Sequence, residues 1–202
     1  MRARYSKAVA QTASGRKGAR RGALLLAALA ALALLIPQAW AVVAKPLSLD
    51  ELIDRSDIVF AGTAIAVESR WNDERTRIYT YTTFRVDEYL KGDGDDTLII
   101  TSIGGVVGDM GYAASGMPYF RKDERVVLFT SASSSGARGV TGWNQGRFRI
   151  QTHPQTGEET LVRSLAGVTF PRPPGKEIVQ QFSSIRTLED LRTAVRSRTE
   201  EK

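Results

Sequence analysis

The chain has 202 residues, 28 Lys and Arg against 22 Asp and Glu, a formal charge of +6 and no cysteine. The missing cysteine excludes disulfide staples, thiol catalysis, thiolate zinc sites and a lipoprotein anchor. The positive excess lies at one end: Arg2, Arg4, Lys7, Arg16, Lys17, Arg20 and Arg21 come before any acid, and 28 less these seven leaves 21 basic residues against 22 acidic ones. The case for a phosphate-backbone partner therefore disappears, and no nucleic acid is expected.

That basic head is followed by an apolar run from Ala23 to Ile36, then Pro37, then Ala39-Trp40-Ala41. A basic head, a short apolar stretch and small residues at the cut form the pattern of a secretory signal. Residues 1–41 are therefore expected to be a helical, removable export segment, with Ala39 and Ala41 marking the cleavage site and a secreted or periplasmic product. A cut after Ala44, or retention of the segment as a membrane anchor, stays open. About 160 residues remain, enough for one domain that buries roughly two-thirds of its unfolded surface.

The first element of the mature chain is a helix over 48–55. Ser48 and Glu51 have the S-x-x-E spacing of a capping box, and Leu49, Leu52 and Ile53 share a face. Asp57–Arg70 is apolar on both parities and predicts a long buried strand with a bend at Gly62. From Ile78 to Leu90 the pattern alternates, with Ile78, Thr80, Thr82, Phe84 and Val86 facing the core. Asp93-Gly94 supplies a hairpin turn. Strands follow at Thr97–Ile103 and Arg125–Thr130, separated by a long loop from Gly104 to Asp123. A fifth strand runs through Val140–Asn144 and Arg147–Gln151, broken near Gly146, and Thr160–Arg163 extends the sheet. Gly167–Gly175 is a proline-rich connector, and Thr187 to Asp190 caps a C-terminal helix lined by Leu188, Leu191 and Val195. Domain organisation follows as 1–41 signal, 42–165 β domain and 166–202 connector plus helix. Evenly spaced strands with turn signals indicate a mainly β fold, a small barrel or sandwich.

The stretch Leu49–Thr63, the stretch Tyr81–Gly92, Gly104-Gly105, Arg125–Phe129 and Gly142–Phe148 together resemble a group of exported bacterial proteins of unknown role. Their pattern is similar to the netrin-type module of tissue inhibitors of metalloproteinases. The shared cues are D-I-V-x-x-G at Asp57–Gly62 and V-x-x-x-L-K-G at Val86–Gly92, and the resemblance covers Leu47 to Ile150. It implies a five-stranded OB-like Greek-key barrel with a short N-terminal helix and a C-terminal helix. The inhibitors place an N-terminal Cys against their target's zinc, and this chain has no Cys to carry that role. The fold can carry over without the activity.

Catalytic machinery is not expected. His153 stands alone in a turn, whereas triads and His-based metal sites need grouped partners. The carboxylate pairs Asp73/Glu74, Asp87/Glu88, Asp95/Asp96 and Glu158/Glu159 are sequence neighbours that point apart, so they read as rim charges. Asp93–Asp96 lacks the spacing of a calcium loop, and the glycine-rich loop lacks the G-K-[ST] of a phosphate cradle. No cofactor or metal is expected. Long loops in compact domains often carry function, and Met110, Tyr112, Met117 and Tyr119 are contact-forming types. The sequence reading is a non-enzymatic binding module that meets an extracytoplasmic protein, a protease among the candidates, through Tyr112, Met117, Tyr119 and Trp143. The alternative is a carbohydrate- or envelope-binding domain using Trp71, Tyr79, Tyr81 or Trp143. Tyr79 and Tyr81 otherwise serve as packing beneath the terminal helix.

Overall fold

The computed structural model describes residues 44–171 and 173–201. The expected export segment, with Ala39 and Ala41, lies outside the described residues. Helix α1 (Leu49–Arg55) opens the domain. Strands β1 (Ile58–Trp71), β2 (Ile78–Lys91), β3 (Thr97–Val107), β4 (Met110–Ala113), β5 (Arg125–Ala132), β6 (Arg138–Val140), β7 (Arg147–Thr152) and β8 (Glu159–Arg163) follow. Helices α2 (Lys176–Ser183) and α3 (Leu188–Glu200) end it.

All strands join one antiparallel sheet in the order β4-β3-β2-β1-β5-β7-β8, with β6 on β5. The fold is mainly β, as expected, but the sheet has eight strands and is not a closed barrel. The extra strands arise where glycines redirect the chain. Gly104 and Gly105, both at positive φ, turn β3 away so that its last residues pair with β4 inside the expected loop. A 3-10 turn at Trp143–Gly146 divides the expected fifth strand into β6 and β7.

Strands β1 and β5 are apolar on both parities because each separates two cores. Val59, Ala61, Val127 and Phe129 face α1 and α3, where they meet Leu52, Ile53, Phe148, Leu191 and Val195. Ile58, Phe60, Ala64, Val126 and Leu128 face the other way, onto Phe84, Ile100 and Phe120. Phe84 packs edge-on to both Phe60 and Phe120. Burial of β1 stops at Ala64, and Ile65 and Val67 are exposed, because β5 covers β1 only from Ile58 to Thr63. The expected bend at Gly62 is a register shift between Ala61 and Gly62.

The expected capping box is present. Ser48 Oγ accepts from the Glu51 N–H, and Glu51 accepts from the Ser48 N–H. Ser48→Ala should cost about 1 kcal/mol in a urea melt, because it removes one cap from a seven-residue helix. The far end of α1 is held by Lys91, whose Nζ donates to Ile53 O at 2.6 Å and Ser56 O at 2.7 Å. The turn after β2 takes its positive φ at Gly92, not in Asp93-Gly94. A Cβ on Gly92 would stand 2.7 Å from Asp57 O, so the close approach to the chain entering β1 also requires glycine there.

The 166–202 segment holds one more helix than expected. Helix α2 lays Phe182 against Phe148 at 6.1 Å between ring centroids. Helix α3 carries the expected Thr187–Asp190 capping box and reaches β2 through Arg192, which is bidentate on Glu88 at 2.8 and 2.9 Å.

Candidate functional site

The segment Gly142–Gly146 holds three distant parts of the chain. Gln145, 2% exposed, accepts from the Leu47 N–H and donates to Lys45 O. Asn144 donates from its backbone to Gly116 O and from its side chain to Ala166 O. The glycine-rich segment is thereby anchored. Ser102 Oγ donates to Pro118 O, Ser115 Oγ donates to Gly167 O, and Tyr119 Oη donates to Ile103 O while accepting from the Ala114 N–H.

These anchors fix the sequence-predicted contact residues in two places. Met117 and Trp143 line one cleft of about 260 Å³, together with Ile103 and Val140. Tyr112 projects from β4 and is 52% exposed. Tyr119 is 37% exposed, but its hydroxyl is committed to the backbone, so only its ring is available. Sequence reasoning missed Val106 and underused Met110, which are 67% and 59% exposed on the β3–β4 hairpin. The alternation was hidden because glycines occupy Gly105, Gly108 and Gly111 among them.

Electrostatics near the first cleft centre on Asp57 and Arg138, which form an ion pair. Burial pushes the Asp57 carboxyl upward, but the Arg138 hydrogen bond and the Ala132 N–H outweigh it and hold the group below its ordinary value. On β8, Arg163 lies over the Phe182 ring at 3.6 Å and donates Nε to Gln145 O, and burial pulls its guanidinium down to about 10. It stays charged at neutral pH and acts as a packing element between sheet and helix.

The other candidates are dispersed. His153 is exposed and accepts at Nδ1 from the Gln155 and Thr156 N–H groups. Glu88 pairs with Arg192, and Glu159 with Arg125. Among the described residues no cluster of three or more His, Asp or Glu side chains could hold a metal ion. Tyr79 and Tyr81 are not beneath the terminal helix. They line a second cleft with Trp71, because they occupy the opposite face of β2 from Thr80 and Thr82. The two clefts share Thr101 and Ala137 at their borders. No family model matches the chain, and no curated protein matches it.

Proposed function

We propose that the chain is an exported, non-enzymatic binding module that meets an extracytoplasmic protein through the β3–β4 hairpin and the cleft holding Met117 and Trp143. The observation that carries this reading is the hairpin itself. Val106 on β3 and Met110 and Tyr112 on β4 are all more than half exposed, and among the described residues no further strand pairs with β4, which ends the sheet. Exposed apolar side chains beside an unpaired edge are costly unless a partner covers them. The near-neutral charge of the mature chain and its basic, apolar leader support a secreted or periplasmic protein rather than a nucleic-acid binder.

The five strands β1, β2, β3, β5 and β6 support an OB-like arrangement for this module. Strand β1 pairs with β2 and β5, β2 with β3, and β5 with β6. Strand β6 returns beside β3, where a Cβ on Gly139 would lie 3.7 Å from Thr101 O. That order is what the netrin-type resemblance implies, with one seam left open.

The test uses protein purified from the extracytoplasmic fraction and crosslinked to its neighbours there. Tyr112→Ala together with Met110→Ala should weaken capture of the specific partner by about tenfold or more, while the melting temperature stays within a few degrees. Equal capture by wild type and variant removes the hairpin from the interface. For the protease branch, the wild-type protein should slow a secreted metalloprotease, and failure across a broad protease panel removes that branch.

A further inference from the structure

The second cleft is built from three parts of the chain that are far apart in sequence. Its volume is about 520 Å³, within the range of roughly 300–1,000 Å³ seen for small-molecule sites. One wall is the β1–β2 loop, the floor is the outward face of β2 and β3, and the opposite wall is the tip between β5 and β6, with Ser135 and Ala137. The loop is rigidly made. Asn72 Oδ1 accepts from the Thr76 and Arg77 N–H groups, both at 2.8 Å, and its Nδ2 donates to Glu74 Oε2 at 2.6 Å and Thr76 Oγ1 at 3.0 Å. A backbone bond from Asn72 N to Arg77 O closes the loop. Asn72 is thus fully committed to holding Asp73 and Glu74 at the lip.

On the floor, Tyr79 and Tyr81 occupy successive outward positions of one strand, about 7 Å apart along it. Tyr81 faces Thr101 across the ladder. Arg70 lies with its guanidinium 4.0 Å over the Tyr81 ring. Among the described residues neither Arg70 nor Asp73 forms an ion pair, and the contact of Arg70 is with the Tyr81 ring. Their donors and acceptors are therefore open to a ligand.

This combination selects a ligand class. A purely apolar ligand would bury Asp73 without a hydrogen bond and leave Glu74 with only the one from Asn72, which is costly. A polyanion such as a nucleic acid would meet two carboxylates against one guanidinium. A molecule with both an apolar C–H face and a ring of hydroxyls satisfies every group: the face stacks on the Tyr79 ring, and the hydroxyls donate to Asp73 and Glu74 and accept from Arg70. We propose that this cleft is a binding site for a neutral oligosaccharide, separate from the protein-contact hairpin. The rigid loop supports the site by supplying its carboxylates already in place, so little ordering accompanies binding.

Trp71 lines the same cleft and provides an optical reporter. Protein purified from the extracytoplasmic fraction is titrated with chitotetraose, cellotetraose and maltotetraose, with oligo(dT) and a heparin fragment as anionic comparisons. At least one neutral tetrasaccharide should shift the tryptophan emission with a midpoint below about 1 mM. Tyr79→Ala should weaken that binding by about tenfold. Asp73→Ala lies in an exposed loop, so it leaves the fold intact and should also weaken binding. Glu158→Gln, on the β7–β8 turn, should leave it unchanged. Absence of binding by all three neutral sugars, tighter binding of either anion, or a folded Asp73→Ala and Tyr79→Ala pair with wild-type affinity overturns the proposal.

Discussion

Glu124→Gln lowers the unfolding free energy by about 3 kcal/mol, the loss expected when one member of a buried ion pair is removed. The Glu124 side chain is 9% exposed and the Arg147 side chain 13%. Glu124 accepts from Arg147, from Arg149 Nε at 3.2 Å and from the Arg121 N–H at 3.0 Å. Its backbone also receives the Ala64 N–H, so it ties the start of β5 to both β7 and the bend in β1. Neutralising it leaves a buried guanidinium that stands 4.9 Å over the Phe120 ring without its counter-charge. The paired replacement Glu124→Leu with Arg147→Leu should cost less than the two single replacements added, because neither charge is then stranded.

The same residue sets part of the acid sensitivity. Burial pushes the Glu124 carboxyl upward, but the Arg147 hydrogen bond, the Arg121 N–H and the two guanidinium charges outweigh burial and hold it below its ordinary 4.5. A carboxyl lowered in the folded state contributes stability above the unfolded value and loses it as pH falls through the folded value. Urea melts should show the wild type and Glu124→Gln far apart at neutral pH and converging below about pH 4. Glu51, held low by Lys45, and Glu88, held low by Arg192, add to the same acid limb. The variant should therefore keep a shallower acid transition, not lose it. A constant gap between the two proteins from neutral to acid would show that the Glu124 charge contributes nothing to folding.

What could be read from the residues was whatever a local pattern determines. Ser48 with Glu51 and Thr187 with Asp190 announce helix starts, because each box satisfies backbone groups a few residues away. The alternation in β2 was legible because Ile78, Thr80, Thr82 and Phe84 face a core while the intervening residues face water. Helix α2 gave no such signal. Gly175 makes no side-chain cap, and the helix is held by Phe182 on Phe148, a contact visible only after folding. Strand β4 escaped for a similar reason. Its four residues have little strand character, and its pairing depends on a backbone turn in β3. The clefts were the least legible. Met117 and Trp143, or Tyr81 and Ser135, become neighbours only because the sheet curls until β6 lies beside β3. The residue types were chosen from their chemistry alone, while their grouping depends on tertiary structure.

The turn in β3 leads to the last expected result: Gly105→Ala destabilises the domain by about 4 kcal/mol, combining backbone strain with overpacking. Gly105 has φ of 139°. A Cβ there would stand 2.3 Å from Ser69 Oγ and 2.4 Å from Thr80 Oγ1. Those two hydroxyls are hydrogen-bonded to each other at 2.9 Å, and Thr80 also donates to Gly104 O at 2.6 Å, so neither can withdraw without losing a bond. Gly108→Ala provides the comparison. Its φ is also positive, at 58°, but a Cβ there meets nothing within 4 Å. It should cost only the conformational part, about 1 kcal/mol. The difference between the two melts then measures the packing at the turn together with the extra strain of φ 139° over φ 58°. Because the turn directs Val106 and Tyr112 out of the sheet, Gly105→Ala should also weaken partner capture under conditions where the protein remains folded. Equal stability of the two variants would mean that β3 can relax around a side chain at Gly105, and that the hairpin's direction does not depend on the glycine pair.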